Sequence, residues 1–371
     1  MKSLNSVVII GGGLAGLVSA IHLAKNEILV TVIEKNEFPK HKVCGEYISN
    51  EVLPYLKSLK IDIDSLKPKA IDQLIFSLKS GKTISTKLPL GGFGISRFAL
   101  DYYLYQHAIS LGCDVRTETV EKISFADDEF TISTNLDEYK SKIAIGAFGK
   151  RSNIDAFLNR KFIKKKSNWL GVKAHYQLDY VDNLVGLHHF NGGYCGVSKI
   201  ENNLVNVCYL ANYDTFKKYK SIEEYQKKVI FENPHLKEIF TKAILTFEKQ
   251  LTISQVSFDK KEAVENHILM IGDTAGLIHP LCGNGMAMAI YSAKLASESI
   301  IDFFNNHQNR KMMETEYMNK WNFNFNKRLQ IGRLLGSLLQ KEKLATFILS
   351  FLVIFPFLLS IIIKKTHGKP I

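Results

Sequence analysis

The feature that most restricts the fold of this chain is a glycine-rich turn near its beginning. Residues 7–10 form a continuous apolar run, VVII, which leads directly into residues 11–16, GGGLAG, a match to G-x-G-x-x-G. A helical stretch over residues 15–25 follows, and a second β-rich run, residues 29–33, ends in Glu34. A strand, a glycine turn, a helix, a second strand and a terminal acid in this order predict a Rossmann-like unit that binds a dinucleotide.

Each residue type in this unit has a physical reason. Gly11 permits the tight turn, Gly13 lets the backbone approach a pyrophosphate, and Gly16 lets the helix pack closely on the strand. The free N–H groups at the helix start hold the phosphate charge. The carboxylate of Glu34 can bind the ribose hydroxyls, which disfavours NADP but does not distinguish NAD from FAD. A glycine turn without a nucleotide would not explain that carboxylate. The predicted cofactor contacts here are Gly11, Gly13, Leu14, Ala15, Gly16, Glu34 and Lys35.

A second glycine cluster lies near the other end of the chain. An apolar strand ends in Gly-Asp at Asp273, and a loop containing Gly283 and Gly285 opens a small-residue helix that begins at about Met286. The segment resembles the G-D-x-A-x-x-x-x-P-x-x-G-x-G signature of flavoproteins with the p-hydroxybenzoate hydroxylase fold. This resemblance implies FAD as the cofactor, with Asp273 on a ribitol hydroxyl. It also implies that the helix aims its N-terminus at the N1/C2=O edge of the flavin, where reduction places negative charge.

Two further motifs stand in the order this superfamily shows. Arg97 and Asp101 fit R-x-x-L/F-D-x-x-L, which implies that Arg97 lies along the FAD; an ordinary helix-start residue is the alternative. Residues 42–46, KVCGE, resemble the Lys-x-Cys-Gly segment of the geranylgeranyl reductase branch, whose Cys-Gly loop lies near the flavin ring. Cys44 is therefore a candidate catalytic proton donor or redox group. The alternative is a small residue in a tight loop.

The sequence departs from the family in two places. Phe148 and Asp155 replace the Asp and Arg of the Gly-Ala-Asp-Gly-x-x-Ser-x-x-Arg segment of the aromatic hydroxylases. These changes argue against a hydroxylase that is reduced directly by NADPH. The electron donor stays open, with NAD(P)H and a reduced carrier as the two alternatives. Residues 192–198 keep Tyr194 but lack the Trp and Phe-Pro of the reductases' Tyr-x-Trp-x-Phe-Pro segment, so the substrate need not be geranylgeranyl. The Trp-x-Trp-x-Ile-Pro motif of flavin halogenases is missing, which disfavours halogenation.

The predicted fold class is α/β with an α+β second domain. Between residues 167 and 258, short alternating runs predict antiparallel strands with one solvent-exposed face, interrupted by a charged helical insert at 222–247. The predicted domains are a discontinuous Rossmann-like FAD-binding domain (1–70, 97–165 and 259–305), an antiparallel β-sheet substrate domain (71–96 and 166–258) and a helical C-terminal region (306–371).

The C-terminal region holds an apolar segment, residues 344–363, without a charge. Its 20 residues would cross about 30 Å as a helix. Pro356 would kink such a helix, and residues 364–371 carry three lysines and no acid, against the positive-inside rule. A basic amphipathic stretch, 328–339, precedes it. We favour in-plane attachment to a membrane over a true span and over packing on the body as the wall of a lipid tunnel. The expected location is cytoplasmic and peripheral, on the cytoplasmic face of the membrane.

The net charge of +12 agrees with this interpretation. Residues 301–371 carry 11 Lys/Arg against 4 Asp/Glu, a net +7. These basic residues alternate with aliphatic rather than aromatic residues, so nucleic acid is not an expected partner. Five scattered cysteines without a C-x-x-C pair, and three histidines without carboxylates at ligand spacing, predict a reduced interior and no metal site. The sequence carries no signal for the oligomeric state.

Taken together, the resemblance implies an FAD-dependent oxidoreductase acting on a lipophilic small molecule. The expected reaction is reduction of C=C bonds in an isoprenoid, quinone or polyketide-type lipid by hydride transfer from flavin N5. The alternatives are an FAD-dependent monooxygenase of an aromatic or polyketide substrate and a non-catalytic flavin electron carrier.

Overall fold

The computed structural model describes residues 6–339, 347, 350–352, 354–355 and 357–371. The strands are β1 (Ser6–Ile10), β2 (Leu29–Glu34), β3 (Tyr47–Ser49), β4 (Lys69–Ser77), β5 (Thr83–Gly94), β6 (Asp114–Thr117), β7 (Val120–Ala126), β8 (Glu129–Thr134), β9 (Glu138–Ser141), β10 (Ile143–Gly146), β11 (Trp169–Gln177), β12 (Leu184–Phe190), β13 (Gly193–Lys199), β14 (Leu204–Asn212), β15 (Ile244–Leu245), β16 (Leu251–Ser254), β17 (Val264–Glu265) and β18 (Ile268–Met270). The helices are α1 (Leu14–Ala24), α2 (Leu53–Ser58), α3 (Arg97–Ser110), α4 (Asn153–Phe157), α5 (Tyr213–Phe216), α6 (Ile222–Lys228), α7 (Pro234–Lys242), α8 (Gly285–Asn305), α9 (Arg310–Leu339) and α10 (Phe357–Thr366).

A six-stranded sheet forms the Rossmann-like part. Its order is β17-β18-β10-β1-β2-β6, and all pairs are parallel except β17 with β18. The four residues 7–10 of β1 are buried, as expected of a continuous apolar strand covered on both faces. Helix α1 packs against α3 and α8 beside this sheet. The dinucleotide-binding architecture predicted from the glycine turn is therefore present.

A nine-stranded, mostly antiparallel sheet forms the second part. Its order is β15-β11-β14-β13-β12-β4-β5-β3, with β16 added on β11 and one parallel pair, β12 with β4. The antiparallel strands are as predicted, but the solvent-exposed face is not. Strand β11 is buried on both faces up to its last residue. Side chains of α6 and α7 cover Val172 and Ala174 on one face, and on the other Lys173 and His175 are buried against Glu46.

Two findings bear on the predicted domains, whose boundaries stay a prediction. Strand β3, within the predicted 1–70 segment, pairs with β5 of the larger sheet. Helix α9 sends Tyr317, Trp321 and Phe325 into the same apolar core as α1 and α8. Its first half thus contributes to the cofactor-binding part.

The C-terminal helix α10 packs on β5. Leu359 and Ile363 on its inner face join Leu352 in an apolar cluster with residues of β4 and β5. Part of the predicted apolar segment, including Pro356 and residues 344–346, lies outside the described residues. Within the described ranges, no helix combines the length and apolar character needed to cross a membrane. The described part of the segment thus packs on the body, the third of the alternatives above, and the in-plane attachment stays a prediction.

Candidate functional site

One cavity of about 880 Å³ runs from the glycine turn to the C-terminal helix between the two large sheets. All the predicted site residues line it except Gly16, which packs in the turn. The predicted residues on its wall are Gly11, Gly13, Leu14, Ala15, Glu34, Lys35, Cys44, Arg97, Asp273, Gly283, Gly285 and Met286. The structure therefore brings residues from both glycine clusters to one space.

The glycine turn leaves no room for a side chain at Gly11 or Gly16. Gly11 has φ +111°, and a Cβ there would overlap the carbonyl of Ala147, while a Cβ at Gly16 would overlap the Gly11 carbonyl. A Cβ at Gly13 would meet only two cationic side-chain tips, Arg97 Nη2 at 3.6 Å and Lys42 Nζ at 3.7 Å. A backbone open to the cavity beside two positive charges fits the pyrophosphate of a dinucleotide.

Glu34 stands at the end of β2, where the ribose-binding acid was predicted. Its Oε2 accepts a hydrogen bond from Gly12 N at 2.9 Å, and its Oε1 accepts from Asn36 N and Nδ2 at 3.1 and 2.8 Å. These bonds fix the carboxylate at the cavity wall. Lone pairs that the backbone does not use remain for hydroxyl donors.

Arg97 is held by an ion pair at the start of α3. Ser96 caps this helix by accepting from Ala99 N at 3.0 Å. The guanidinium donates twice to Asp101, from Nε and Nη2, both at 2.7 Å, and Lys42 lies 3.1 Å from the same carboxylate. Burial alone would raise the pKa of Asp101, but Arg97 and Lys42 lower it below its ordinary value. The R-x-x-L-D spacing thus positions a cation on the cavity wall.

Asp273 follows β18 in a turn that two unpredicted contacts support. Lys261 Nζ donates to the carbonyl oxygens of Asp273 at 2.8 Å and Lys150 at 3.0 Å. Burial lowers the pKa of Lys261 to about 8. Gly272 N donates to Ser292 Oγ on α8 at 2.8 Å, which ties the turn to that helix.

The substituted segment beside this turn has a structural explanation. Asp155, in place of the family's Arg, closes a capping box at the start of α4 and pairs with the buried Arg160 at 2.9 Å. Arg160 Nη1 also donates to the carbonyl of Thr274 at 2.9 Å. Phe148, in place of the family's Asp, lines the cavity. The charge at position 155 is therefore turned inward rather than toward a second nucleotide.

The start of α8 is open toward the cavity. Gly283 has φ +63°, and Gly285 is the first residue of the helix. Asn284, at the N-cap, makes no side-chain hydrogen bond to the first turn. The N–H groups there keep the capacity to bind a negative group, and the contact with the flavin edge stays a prediction.

The loop with Cys44 is anchored through its backbone. Asn206 Nδ2 donates to the carbonyls of Cys44 at 3.2 Å and Gly45 at 2.9 Å, and Lys150 Nζ donates to that of Val43 at 2.8 Å. Cys208 also lines the cavity. Burial raises the pKa of Cys208 to about 12, so its thiol is protonated at neutral pH. The role of Cys44 stays a prediction.

Sequence reasoning missed a buried charged cluster beneath this loop. The carboxylate of Glu46 accepts from Lys173 Nζ and Arg97 N, both at 2.8 Å, and lies 2.6 Å from His175 Nε2. Burial alone would raise the pKa of Glu46, but the His175 hydrogen bond and the charge of Lys173 lower it. Lys173 and His175 lie 127 and 129 residues from Glu46, so no local spacing in the sequence signals these contacts.

The described residues contain no group of three or more His, Cys, Asp or Glu side chains that could hold a metal ion. His188 Nδ1 instead pairs with Ser77 Oγ at 2.8 Å.

The chain is similar to known flavoproteins over most of its length. A family model described as an FAD binding domain matches residues 5–317. Conditioned medium factor receptor 1 of Dictyostelium discoideum is 24% identical over 366 residues, 87% of this chain and 69% of the relative. Digeranylgeranylglycerophospholipid reductase of Methanosarcina acetivorans is 25% identical over 338 residues, 86% of this chain and 81% of the relative.

A solved structure of halogenase PltM in complex with phloroglucinol and FAD superposes with a TM-score of 0.76. It is 16% identical and covers 92% of this chain and 78% of the other. At this identity the likeness shows the fold, and it confirms the predicted fold class.

Proposed function

This chain belongs to the FAD binding domain family, and from that premise we propose that it reduces carbon–carbon double bonds in an isoprenoid, quinone or polyketide-type lipid. It is an FAD-dependent oxidoreductase, and FAD is its cofactor. Bound FAD in its reduced form supplies the hydride for such a reaction. The chain's own residues must hold the cofactor, enclose the lipid and supply a proton.

The observation that carries this proposal is the apolar end of the cavity. One part of the wall is a charge-free surface built by side chains of β4, β5, β12 and α10 together with Leu352. Each buried apolar Å² of a bound chain would contribute about 25 cal/mol. We call this part the apolar chamber; it is lined by Leu74, Phe76, Ile84, Leu88, Val185, Leu187, Leu352, Leu359, Ile362 and Ile363. A lipid with a long hydrocarbon part suits such a chamber better than a small polar aromatic does.

The opposite end of the cavity suits the cofactor. We assign the pyrophosphate to the turn at residues 11–16, the adenosine ribose to Glu34 and the ribitol to Asp273. Arg97 lies on the same wall, and we assign the start of α8 to the negative charge that reduction creates. Cys44, half-buried on the same wall, is our candidate for the group that holds the proton.

The outer face of α10 supports a membrane surface as partner. Phe357 and Ile361 are 61% and 47% exposed, while Leu359 and Ile363 on the inner face line the chamber. Exposed lysines follow at residues 364 and 365. Apolar side chains beside basic ones suit an anionic bilayer surface, where each lysine contributes about 1 kcal/mol. Membrane binding is better tested by substitutions on the outer face of α10 than by deleting the helix, because its removal would also open the apolar chamber.

The function is tested by product analysis under anaerobic conditions. Holoenzyme is incubated with NADH, NADPH or dithionite and a membrane lipid extract, and the lipids are analysed by mass spectrometry. We expect a lipid species that gains two hydrogen atoms for each reduced bond and no oxygen. A product formed only in air that contains one atom from molecular oxygen would overturn the reductase proposal in favour of a monooxygenase. Reduction of the flavin without any change in a lipid would favour the electron carrier.

A further inference from the structure

Glu51 is a fully buried carboxylate at which three distant parts of the chain meet. Its side chain accepts from Asn284 Nδ2 at 3.4 Å and from Gly368 N, and it lies 3.4 Å from Arg328 Nη1. The backbone carbonyl of Glu51 also accepts from Ile371 N at 2.9 Å. The start of α8, helix α9 and the C-terminal tail (residues 368–371) are thus joined at one group. A buried carboxylate depends strongly on its partners, because losing one leaves its charge uncompensated.

The contact with Asn284 affects how α8 begins. An asparagine at the N-cap ordinarily accepts a hydrogen bond from the first turn of the helix. Here its Nδ2 is directed to Glu51, and its buried Oδ1 has no partner among the described residues. The neighbouring Gly283 and Gly285 line the cavity. Glu51 therefore holds the Asn284 amide away from the N–H groups that would bind a negative group of the cofactor.

The C-terminal tail is closely fitted to this carboxylate. A Cβ at Gly368 would lie 2.5 Å from Arg328 Nη2 and 2.9 Å from Glu51 Oε2. Thr366 and His367, immediately before it, line the cavity. Because α10 forms a wall of the apolar chamber and ends at Thr366, just before Gly368, the position of this wall is linked to the hydrogen bonding of Glu51.

We propose that Glu51 is a positioning residue that couples the seating of the C-terminal tail to the start of α8, and so to the reduction potential of bound FAD. This coupling rests on the proposed function only because it takes the start of α8 as the part that faces the reduced cofactor. When the tail is displaced, Glu51 loses a donor and its charge is less well neutralised. A carboxylate that Gly368 N no longer fixes in position also holds the Asn284 amide less firmly, because that contact is already long at 3.4 Å, and the amide then turns to cap α8. Both changes disfavour the negative charge that reduction adds.

The test measures the potential of holoenzyme variants by equilibration with a reference dye. Gly368→Val should separate the tail from the Glu51 and Arg328 side chains and shift the potential to a lower value, and ending the chain at His367 should do the same. Lys369→Met is the matched control, because its exposed side chain is beside the same backbone contacts, and its potential should equal that of the wild type. Arg328→Gln leaves the tail sequence unchanged but removes a positive charge beside Glu51, so it should also lower the potential.

If Glu51 had only a structural role, the variants that retain FAD would have the same potential as the wild type. The potential shift caused by Gly368→Val should be smaller when Asn284 is already alanine, since the coupling runs partly through that amide. Unchanged potentials in Gly368→Val and Arg328→Gln proteins that retain FAD and a wild-type circular dichroism spectrum would overturn the coupling. Failure of the wild-type protein to reduce any lipid would count against the proposed function and leave these potentials interpretable.

Discussion

The two ends of the cavity are built in different ways. The part of the nucleotide end that we assign to the pyrophosphate and adenosine ribose is local: residues 11–16 supply the turn, and Glu34 lies at the end of the next strand. The apolar chamber is non-local, because its walls come from β4, β5, β12 and a helix near the end of the chain. The first end depends on the absence of side chains and the second on their bulk. Single substitutions should therefore remove cofactor binding at one end and substrate binding at the other.

The largest effect is expected at the glycine turn. Gly11→Val should abolish FAD binding, because its Cβ would overlap the Ala147 carbonyl and φ is +111°. Cofactor content is read from the flavin absorbance of the purified protein. Gly196→Ala is the control: it also lines the cavity, but its Cβ would lie 3.6 Å from the nearest atom. Full flavin content in Gly11→Val would contradict the assignment of the turn.

A pair of substitutions on α10 separates the two faces of the helix. Leu359→Lys places a charge in the apolar chamber and should abolish turnover of lipid while FAD remains bound. Phe357→Lys places the same charge on the outer face and should leave turnover of detergent-solubilised lipid within about twofold, given the small effect of exposed substitutions. Equal loss of turnover in both would mean that the chamber is not the substrate site.

A different substitution on the outer face of α10 tests membrane attachment in a vesicle co-sedimentation assay. Wild-type protein should sediment with vesicles containing anionic phosphatidylglycerol and much less with purely zwitterionic ones. Phe357→Glu should reduce this binding, since it removes an apolar contact and adds a negative charge. Identical sedimentation of the two proteins would refute a docking role for this face.

Glu46→Gln should be strongly destabilising. It leaves the buried charge of Lys173 without its carboxylate, which costs about 3–5 kcal/mol. Urea unfolding measures the loss, and the double variant Glu46→Gln/Lys173→Met should recover part of it. Glu238→Gln, which breaks an exposed pair on α7, is the control and should cost far less. If both single variants lose equal stability, the buried cluster is less important than its geometry implies.

Lys261 should add a smaller, pH-dependent effect. Its pKa is about 8 in the folded protein against an ordinary 10.5, so the unfolded chain binds more protons between these values. Folding stability contributed by this group therefore rises as the pH increases from 8 to 10.5. Lys261→Met should flatten that part of the stability profile. Lys260→Met, at the exposed neighbouring position, should not; a flattened profile there would contradict the assignment.

The features that could be predicted from the sequence are the local ones, and those that could not are the non-local ones. The strand, turn and acid of the first unit, the Gly-Asp turn and the second glycine cluster were predictable because backbone geometry restricts residue type over short spacings. The Glu46 cluster was not, because its members lie on separate strands and loops. Lys173 and His175 alternate with apolar residues as a solvent-exposed face would, and only tertiary packing buries them. The apolar run and its basic neighbours predict a membrane element at the C-terminal end, and the sequence does not reveal that the inner face of α10 packs on β5.

The most direct test of the central claim is a single turnover without oxygen. Holoenzyme reduced by dithionite is mixed under argon with the lipid extract, and the flavin absorbance is followed. We expect the lipid to reoxidise the flavin, with one lipid double bond lost for each flavin reoxidised, while the flavin of the Leu359→Lys protein stays reduced. A wild-type flavin that stays reduced until oxygen is admitted, with oxygen then found in the product, would contradict the central claim.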